Sequence, residues 1–323
     1  MIYTAGIAAL VLLFPALAQA WGGGVHLQMG VHVLNSLSLL STDMAALLAA
    51  HPHDFLYGCI SADITLGKKF THEMLNCHRW RIGQKVLQAA RSNNQRACAY
   101  GYLCHLAADV IAHNYFVPYK IMGSFATVTM KHAYWEMRFE TFVPREVWET
   151  AHGVCHADHS ANDALMRSVL TNTIFSFGTN KRIFNSIMLV SRLKKWQGAM
   201  KTLAGNSRYH LTEDDRQEYQ ALTEAAVLDF MRQPETSRLL QADPTGEKAL
   251  AFAEAVRRNL RLLHRSGKMT RDEGMGQVEL LRDRLRRAIH EPQLLDELRG
   301  DDPQESYGLA GAFSFSRRHS ART

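Results

Sequence analysis

From Val25 onward, apolar residues recur at three- and four-residue intervals, and few segments alternate residue by residue. That is the helical period, so an all-α fold is expected. Val25 to Leu40 reads as an amphipathic helix, and Ser41, Thr42 or Asp43 can cap a short helix running to about Ala50. His51-Pro52-His53-Asp54 interrupts the pattern, a further helical turn leads to Asp63, and Gly67-Lys68-Lys69 reads as a polar loop. A helix from about Trp80 to Ser92 follows, with a break at Asn93-Asn94. Ala97 to Phe116 forms a long, strongly apolar helix stopped by Pro118, and the next runs from about Phe125 to Phe142 before Pro144. Ala151 to Ala161 reads as a loop, with helices resuming over Asp163 to Ser176 and Lys181 to Thr202.

Near Gly205-Asn206-Ser207 the composition becomes richer in charge. Thr212 with Asp215 resembles a capping box, and three amphipathic helices follow, punctuated by Pro234, Pro244 and Pro292. The expected organisation is a catalytic helical domain over 21–205, a helical extension over 206–300 and a disordered tail from Asp301. Ahead of these, the apolar run Ile7 to Leu17 is too short to span a bilayer and ends in Ala18-Gln19-Ala20, a small-x-small cleavage site. Residues 1–20 therefore read as a signal peptide, although the n-region carries no Lys or Arg. The competing reading is an uncleaved anchor. Export to the periplasm or the medium is expected, with the mature chain starting at Trp21.

With 46% hydrophobic and 21% charged residues among 323, the chain can bury a sizeable core. Its formal charge of +6 is compatible with an anionic phospholipid surface or a nucleic acid but selects neither. The five cysteines are an odd number without CxxC pairing, which excludes a full disulfide framework and leaves buried thiols as the simpler reading. The histidines change the picture more. Ten of the sixteen fall between His51 and His159.

Within the long apolar helix, His105 and Asp109 are four apart and share a face, while His113, another turn on, drifts from His105 by roughly 80°. The next helix repeats the spacing with His132 and Glu136. Two packed helices would direct three imidazoles and two carboxylates into one space, a multi-helix bundle with a metal site between its central helices. The donors are those zinc takes outside thiolate sites. A lone histidine here would more often be a hydrogen-bonded core residue. However, the long helix contains no Lys or Arg to neutralise Asp109, and a buried unpaired carboxylate is costly. Cleavage after Ala20 adds a donor, because an α-amino group with a pKa near 8 can chelate a metal together with its own carbonyl. Gly22, Gly23 and Gly24 would let the chain fold back so that His26 joins the same ion.

These pieces together resemble the bacterial zinc-dependent phospholipases C, which share a helical core with single-strand nucleases of fungi and plants. The resemblance rests on Trp21 and His26 in WGGGVH, Asp63 in SADI, His78 in NCHRW, HLAADVIAHN from His105 to Asn114, and His132 with Glu136 in HAYWE. It covers roughly residues 21–150. It implies three zinc ions: one held by Asp63, His78, His105 and Asp109, a second by Trp21, His26 and a bridging Asp109, and a third by His113, His132 and Glu136. His72 is an alternative to His78, and HGVCHADH (His152 to His159) could form a separate site, with an exposed polar loop as the default.

The implied reaction is hydrolysis of phosphate esters, with Asp63 and Asp109 as the catalytic carboxylates. A phospholipid at a membrane surface is the expected substrate, giving diacylglycerol and a phosphoryl alcohol. A single-strand nuclease or phosphomonoesterase is the alternative, and Trp80, Tyr115, Phe116, Tyr134 and Trp135 would then serve as stacking platforms. A non-catalytic zinc protein is the third reading. It would touch anionic membranes through Arg257, Arg258, Arg261, Arg282, Arg284, Arg286 and Arg287. No obligate protein partner is evident.

Overall fold

The computed structural model describes residues 21–64, 77–127, 132–170, 176–205, 207 and 209–298. The leader, the Gly67 loop, His72 and the tail lie outside them. Among the described residues the secondary structure is helical, with no strand. In chain order the helices are α1 (Gly23–Asn35), α2 (Thr42–Ala50), α3 (Pro52–Ser61), α4 (Trp80–Ala89), α5 (Asn93–Ile111), α6 (Val117–Gly123), α7 (His132–Glu140) and α8 (Arg145–His156). Then come α9 (Ser160–Val169), α10 (Phe177–Ser191), α11 (Lys194–Gly205), α12 (Glu213–Arg232), α13 (Glu247–Arg265) and α14 (Arg271–Ala288).

Helix α5 is the axis. From Ala97 to Ile111, all but Tyr100 are buried, and other helices surround it. Its tightest crossing is with α3, where two glycines face one another. A methyl group on Gly101 would sit 2.0 Å from the Phe55 carbonyl oxygen, and one on Gly58 would sit 2.0 Å from the Cys98 carbonyl oxygen. Only hydrogen at both positions lets the backbones come this close. The crossing matters for chemistry because it presents the Cys59 carbonyl to His105 at 2.8 Å. The C-terminal helices wrap the same axis: α12 packs on α5 and α1, and α13 and α14 pack on α6. Two capping boxes start α12 and α14, at Thr212 with Asp215 and at Thr270 with Glu273.

Several boundaries differ from those expected. Pro52 is the first residue of α3 rather than a break, because a first-turn proline loses no helical hydrogen bond. Asn93 starts α5 in the same way, as a beginning rather than an end. The long helix does not stop at Pro118. It passes through a π-helical turn, Ala112–Phe116, into α6, where Pro118 occupies the first turn. The widened turn absorbs the missing N–H. Of the helix predicted over 125–142, the described residues show α7, with Phe125 in the turn after α6 and Thr141-Phe142 in the turn after α7. Residues 151–156 belong to α8, and Lys181 to Thr202 is two helices meeting at Arg192-Leu193.

All five cysteines are free thiols, four of them buried. Several of the C-terminal arginines are engaged: Arg257 with Glu254, Arg282 with Glu218 and Glu279, Arg286 with Glu218, and Arg287 with Asp283.

Candidate metal centre

The π turn, the Gly58/Gly101 crossing and α7 converge on three groups of donors whose ligand atoms lie within 4.8 Å of one another. These are His26, His105 and Asp109; Asp63, His78 and His105; and His113, His132 and Glu136. The two spacings in the sequence and the isolated His26, Asp63 and His78 therefore meet in space.

Asp109 is the hub. Its Oδ1 lies 3.4 Å from His26 Nε2, while its Oδ2 lies 3.2 Å from His105 Nε2 and 3.6 Å from His78 Nε2. Each carboxylate oxygen thus faces a different group, the geometry a bridging ligand requires. His78 Nε2 approaches Asp63 Oδ1 at 3.1 Å, and the His26 and His105 rings stack with centroids 3.6 Å apart. In the third group Glu136 Oε1 lies 2.6 Å from His132 Nε2 and 3.6 Å from His113 Nε2.

Distance alone does not pair these atoms. Both Asp109 oxygens, both His26 nitrogens, His113 Nε2, His132 Nε2 and both Glu136 oxygens are buried without a hydrogen bond. Each such polar atom costs about 1–3 kcal/mol, more when charged, unless something satisfies it. A concentration of orphan nitrogens and carboxylate oxygens at one place fits divalent cations that take one lone pair from each.

The electrostatics agree. Burial works against charge on Asp109, yet His105 and His113 hold its carboxyl well below the ordinary range. Burial likewise opposes protonation of His113, but Asp109 and Glu136 raise its pKa to about 9. His26 is lowered, first by burial and then by His105. The cavity attracts positive charge, which bound cations supply while keeping the imidazoles neutral.

The outer contacts select the ring nitrogens. A carbonyl can only accept, so His105 donates Nδ1–H to Cys59 O and His113 donates Nδ1–H to Pro244 O at 2.6 Å. Both rings then offer Nε2 inward. Trp21 is anchored beside the hub: its indole Nε1–H donates to Ala108 O at 3.0 Å, and its ring stacks on Phe116.

Sequence reasoning missed two parts of this centre. Glu140, one helical turn beyond Glu136, accepts from the backbone N–H of Gly24 at 2.8 Å and of Val25 at 3.3 Å, pinning the start of α1. A methyl group on Gly22 would sit 2.2 Å from Glu140 Oε2, and one on Gly24 2.6 Å from the Trp148 ring. The glycines therefore admit a buried carboxylate and an indole rather than serving only to fold the chain back. Burial, reinforced by Asp63 and Glu136, raises Glu140 to a pKa of about 7 despite its two N–H partners.

The second omission is the 242–246 segment of the extension. Pro244 O takes the His113 proton, Ala242 O takes Trp80 Nε1–H at 2.8 Å, and Asp243 O takes an Asn114 amide proton at 2.8 Å. The i,i+4 pattern from Glu136 could have flagged Glu140. Nothing in the sequence marks a backbone carbonyl 131 residues from its partner.

Other expectations come apart. Trp80, Tyr115, Phe116 and Trp135 are buried in packing, and Tyr134 is tied to Ser207 and Tyr209 O, so these five form no open stacking surface. His152 and His156 sit on α8 with their rings together, whereas His159 is turned inward against the Tyr57 ring. They do not converge on one point.

Residues 25–175 fit the family model described as zinc dependent phospholipase C. No curated protein and no solved structure matches the chain.

Proposed function

We propose, from the match of residues 25–175 to the family model described as zinc dependent phospholipase C, that this chain is an exported phospholipase C, cleaving phospholipid head groups to diacylglycerol and a phosphoryl alcohol. The observation that carries the reading is the set of three donor groups, two of them sharing His105, in which both His26 nitrogens, both oxygens of Asp109 and of Glu136, and Nε2 of His113 and His132 have no hydrogen-bond partner. Asp63, His78, His105 and Asp109 would hold one zinc. The amine and carbonyl of Trp21, with His26 and Asp109, would hold a second, and His113, His132 and Glu136 a third.

When bound, the ions supply Lewis acidity toward the phosphoryl oxygens and acidify water for in-line attack at phosphorus. The chain's own part is positioning and proton handling. Asp109 spaces the first two sites through its two oxygens, and the Cys59 and Pro244 carbonyls fix the His105 and His113 tautomers. Glu140 holds the start of α1, and with it the Trp21 terminus. Asp63 is more open than Asp109, with 16% of its side chain exposed against 0%, so it is the carboxylate placed to take a proton at the rim.

Burial of the aromatic side chains that a nuclease would use for base stacking favours a lipid over a single strand. The test uses protein beginning at Trp21, offered phosphatidylcholine and single-stranded DNA with and without a chelator. Chelator-sensitive release of diacylglycerol is expected. Cleavage of DNA in preference to lipid, or lipid cleavage indifferent to chelation, overturns the reading. A single residue added before Trp21 should abolish activity, and unchanged activity would remove the terminal amine from the ligand set.

A further inference from the structure

Between Asp163 and Glu213 the sequence has no acidic residue for 49 positions, while it carries eight Lys and Arg. The rest of the chain holds 29 Lys and Arg against 31 Asp and Glu, so the whole positive excess resides in this stretch. Structurally it is mainly the pair α10 and α11. Lys181 turns inward to Asp163 and ties α10 down at 2.7 Å. Arg182, Arg192, Lys194, Lys195 and Lys201 are exposed, and none makes an ion pair with the described residues. The turn between the helices adds apolar surface, with Leu193 52% and Val190 37% exposed and Trp196 half-buried among the cations.

Cations ringing exposed aliphatic side chains and an interfacial tryptophan are the composition of a surface that lies on a bilayer. Its position relative to the metal centre fits that use. Met188 and Phe184 of α10 fill the space beside Gly23, and α10 also packs on the turn that carries Asp63. Leu193 is five residues beyond Met188, roughly 7.5 Å farther along at helical rise. We propose that the α10–α11 turn, Val190 to Trp196, is an interfacial docking surface that seats the mouth of the metal centre on an anionic phospholipid bilayer. The C-terminal helices are a weaker candidate, since four of their arginines are paired with carboxylates.

The proposal rests on the phospholipase reading, and the two can fail separately. Full-length processed, zinc-loaded protein is mixed with vesicles of phosphatidylcholine alone or with phosphatidylglycerol, and binding is read by flotation. Binding should require the anionic lipid and weaken between 0.1 and 0.5 M salt. A basic residue near such a surface contributes about 1 kcal/mol, or fivefold, so Lys194→Glu with Lys195→Glu should weaken vesicle binding on the order of 25-fold or more. Leu193→Asp should weaken binding to the same vesicles at high salt.

Hydrolysis of a short-chain phosphatidylcholine below its micellar concentration should stay unchanged in all three substitutions, because it needs no interface. Unchanged vesicle binding in the double variant overturns the docking surface, as does lysine-dependent binding of single-stranded DNA without vesicle binding. Equal loss on vesicles and on the short-chain lipid also overturns it, by placing these residues in the reaction. Vesicle binding with no hydrolysis of either lipid sinks the phospholipase reading and leaves the docking surface standing.

Discussion

Gly246 and Gly267 form a natural experiment. Both are left-handed, with φ of +60° and +71°. An alanine at either position pays the same backbone cost, about 1–2 kcal/mol. Around Gly267 nothing lies within 4 Å, whereas a methyl group on Gly246 would meet His113 O at 2.3 Å and His113 Cβ at 2.5 Å. Ordinary contact would require the 242–246 loop to retreat by about 1 Å, stretching the 2.6 Å bond from His113 Nδ1 to Pro244 O beyond hydrogen-bond range. Gly246→Ala should therefore cost about 1–3 kcal/mol more than Gly267→Ala from overpacking. It should also weaken one zinc site by about 10–100-fold through loss of the bond that orients a ligand. Chelator competition and scanning calorimetry on both variants measure the two effects. Equal zinc affinity in the two variants would refute the claim that the extension orients His113.

Asp109→Asn should lose two zinc ions by elemental analysis, since its two oxygens face different groups, and loss of only one would argue against bridging. Gly101→Ala should lower thermal stability by about 3 kcal/mol, because the new methyl group meets backbone atoms that cannot swing away. An unchanged melting temperature would contradict the crossing. Glu140 has a folded pKa of about 7 against 4.5 ordinarily, so the folded state keeps a proton that the unfolded chain releases. Its contribution is present below pH 4.5 and is lost as pH rises through 7, by roughly 3 kcal/mol. In metal-stripped protein, Glu140→Gln should remove that part of the decline between pH 5 and pH 8, and denaturant titrations with parallel slopes for both proteins would exclude it.

The helical fold and the donor set were legible because period and spacing are local. His105 with Asp109 and His132 with Glu136 declare themselves four apart, and the absence of a cation on the long helix marks Asp109 as needing a partner. Boundaries were harder wherever proline was involved. Pro52 and Pro118 read as stops, yet both sit in first turns, Pro118 after a π turn that no periodicity announces. The Gly22 to Gly24 run reads in sequence as a fold-back toward His26, whereas its small size also makes room for Glu140 and Trp148, contacts formed only when distant helices meet. The outer shell was not legible at all, because Cys59 and Pro244 contribute main-chain oxygens. Of the C-terminal arginines, Arg257 pairs with Glu254 and Arg287 with Asp283 at i,i+3 and i,i+4, spacings that are visible in the sequence.

The central claim is that Trp21, His26, Asp63, His78, His105, Asp109, His113, His132 and Glu136 form one linked centre. Zinc content per chain, measured on purified protein that begins at Trp21, tests it most directly. Three ions are predicted, with phosphatidylcholine hydrolysis falling as they are withdrawn by chelation and returning with zinc. Fewer than two ions in folded protein would contradict it.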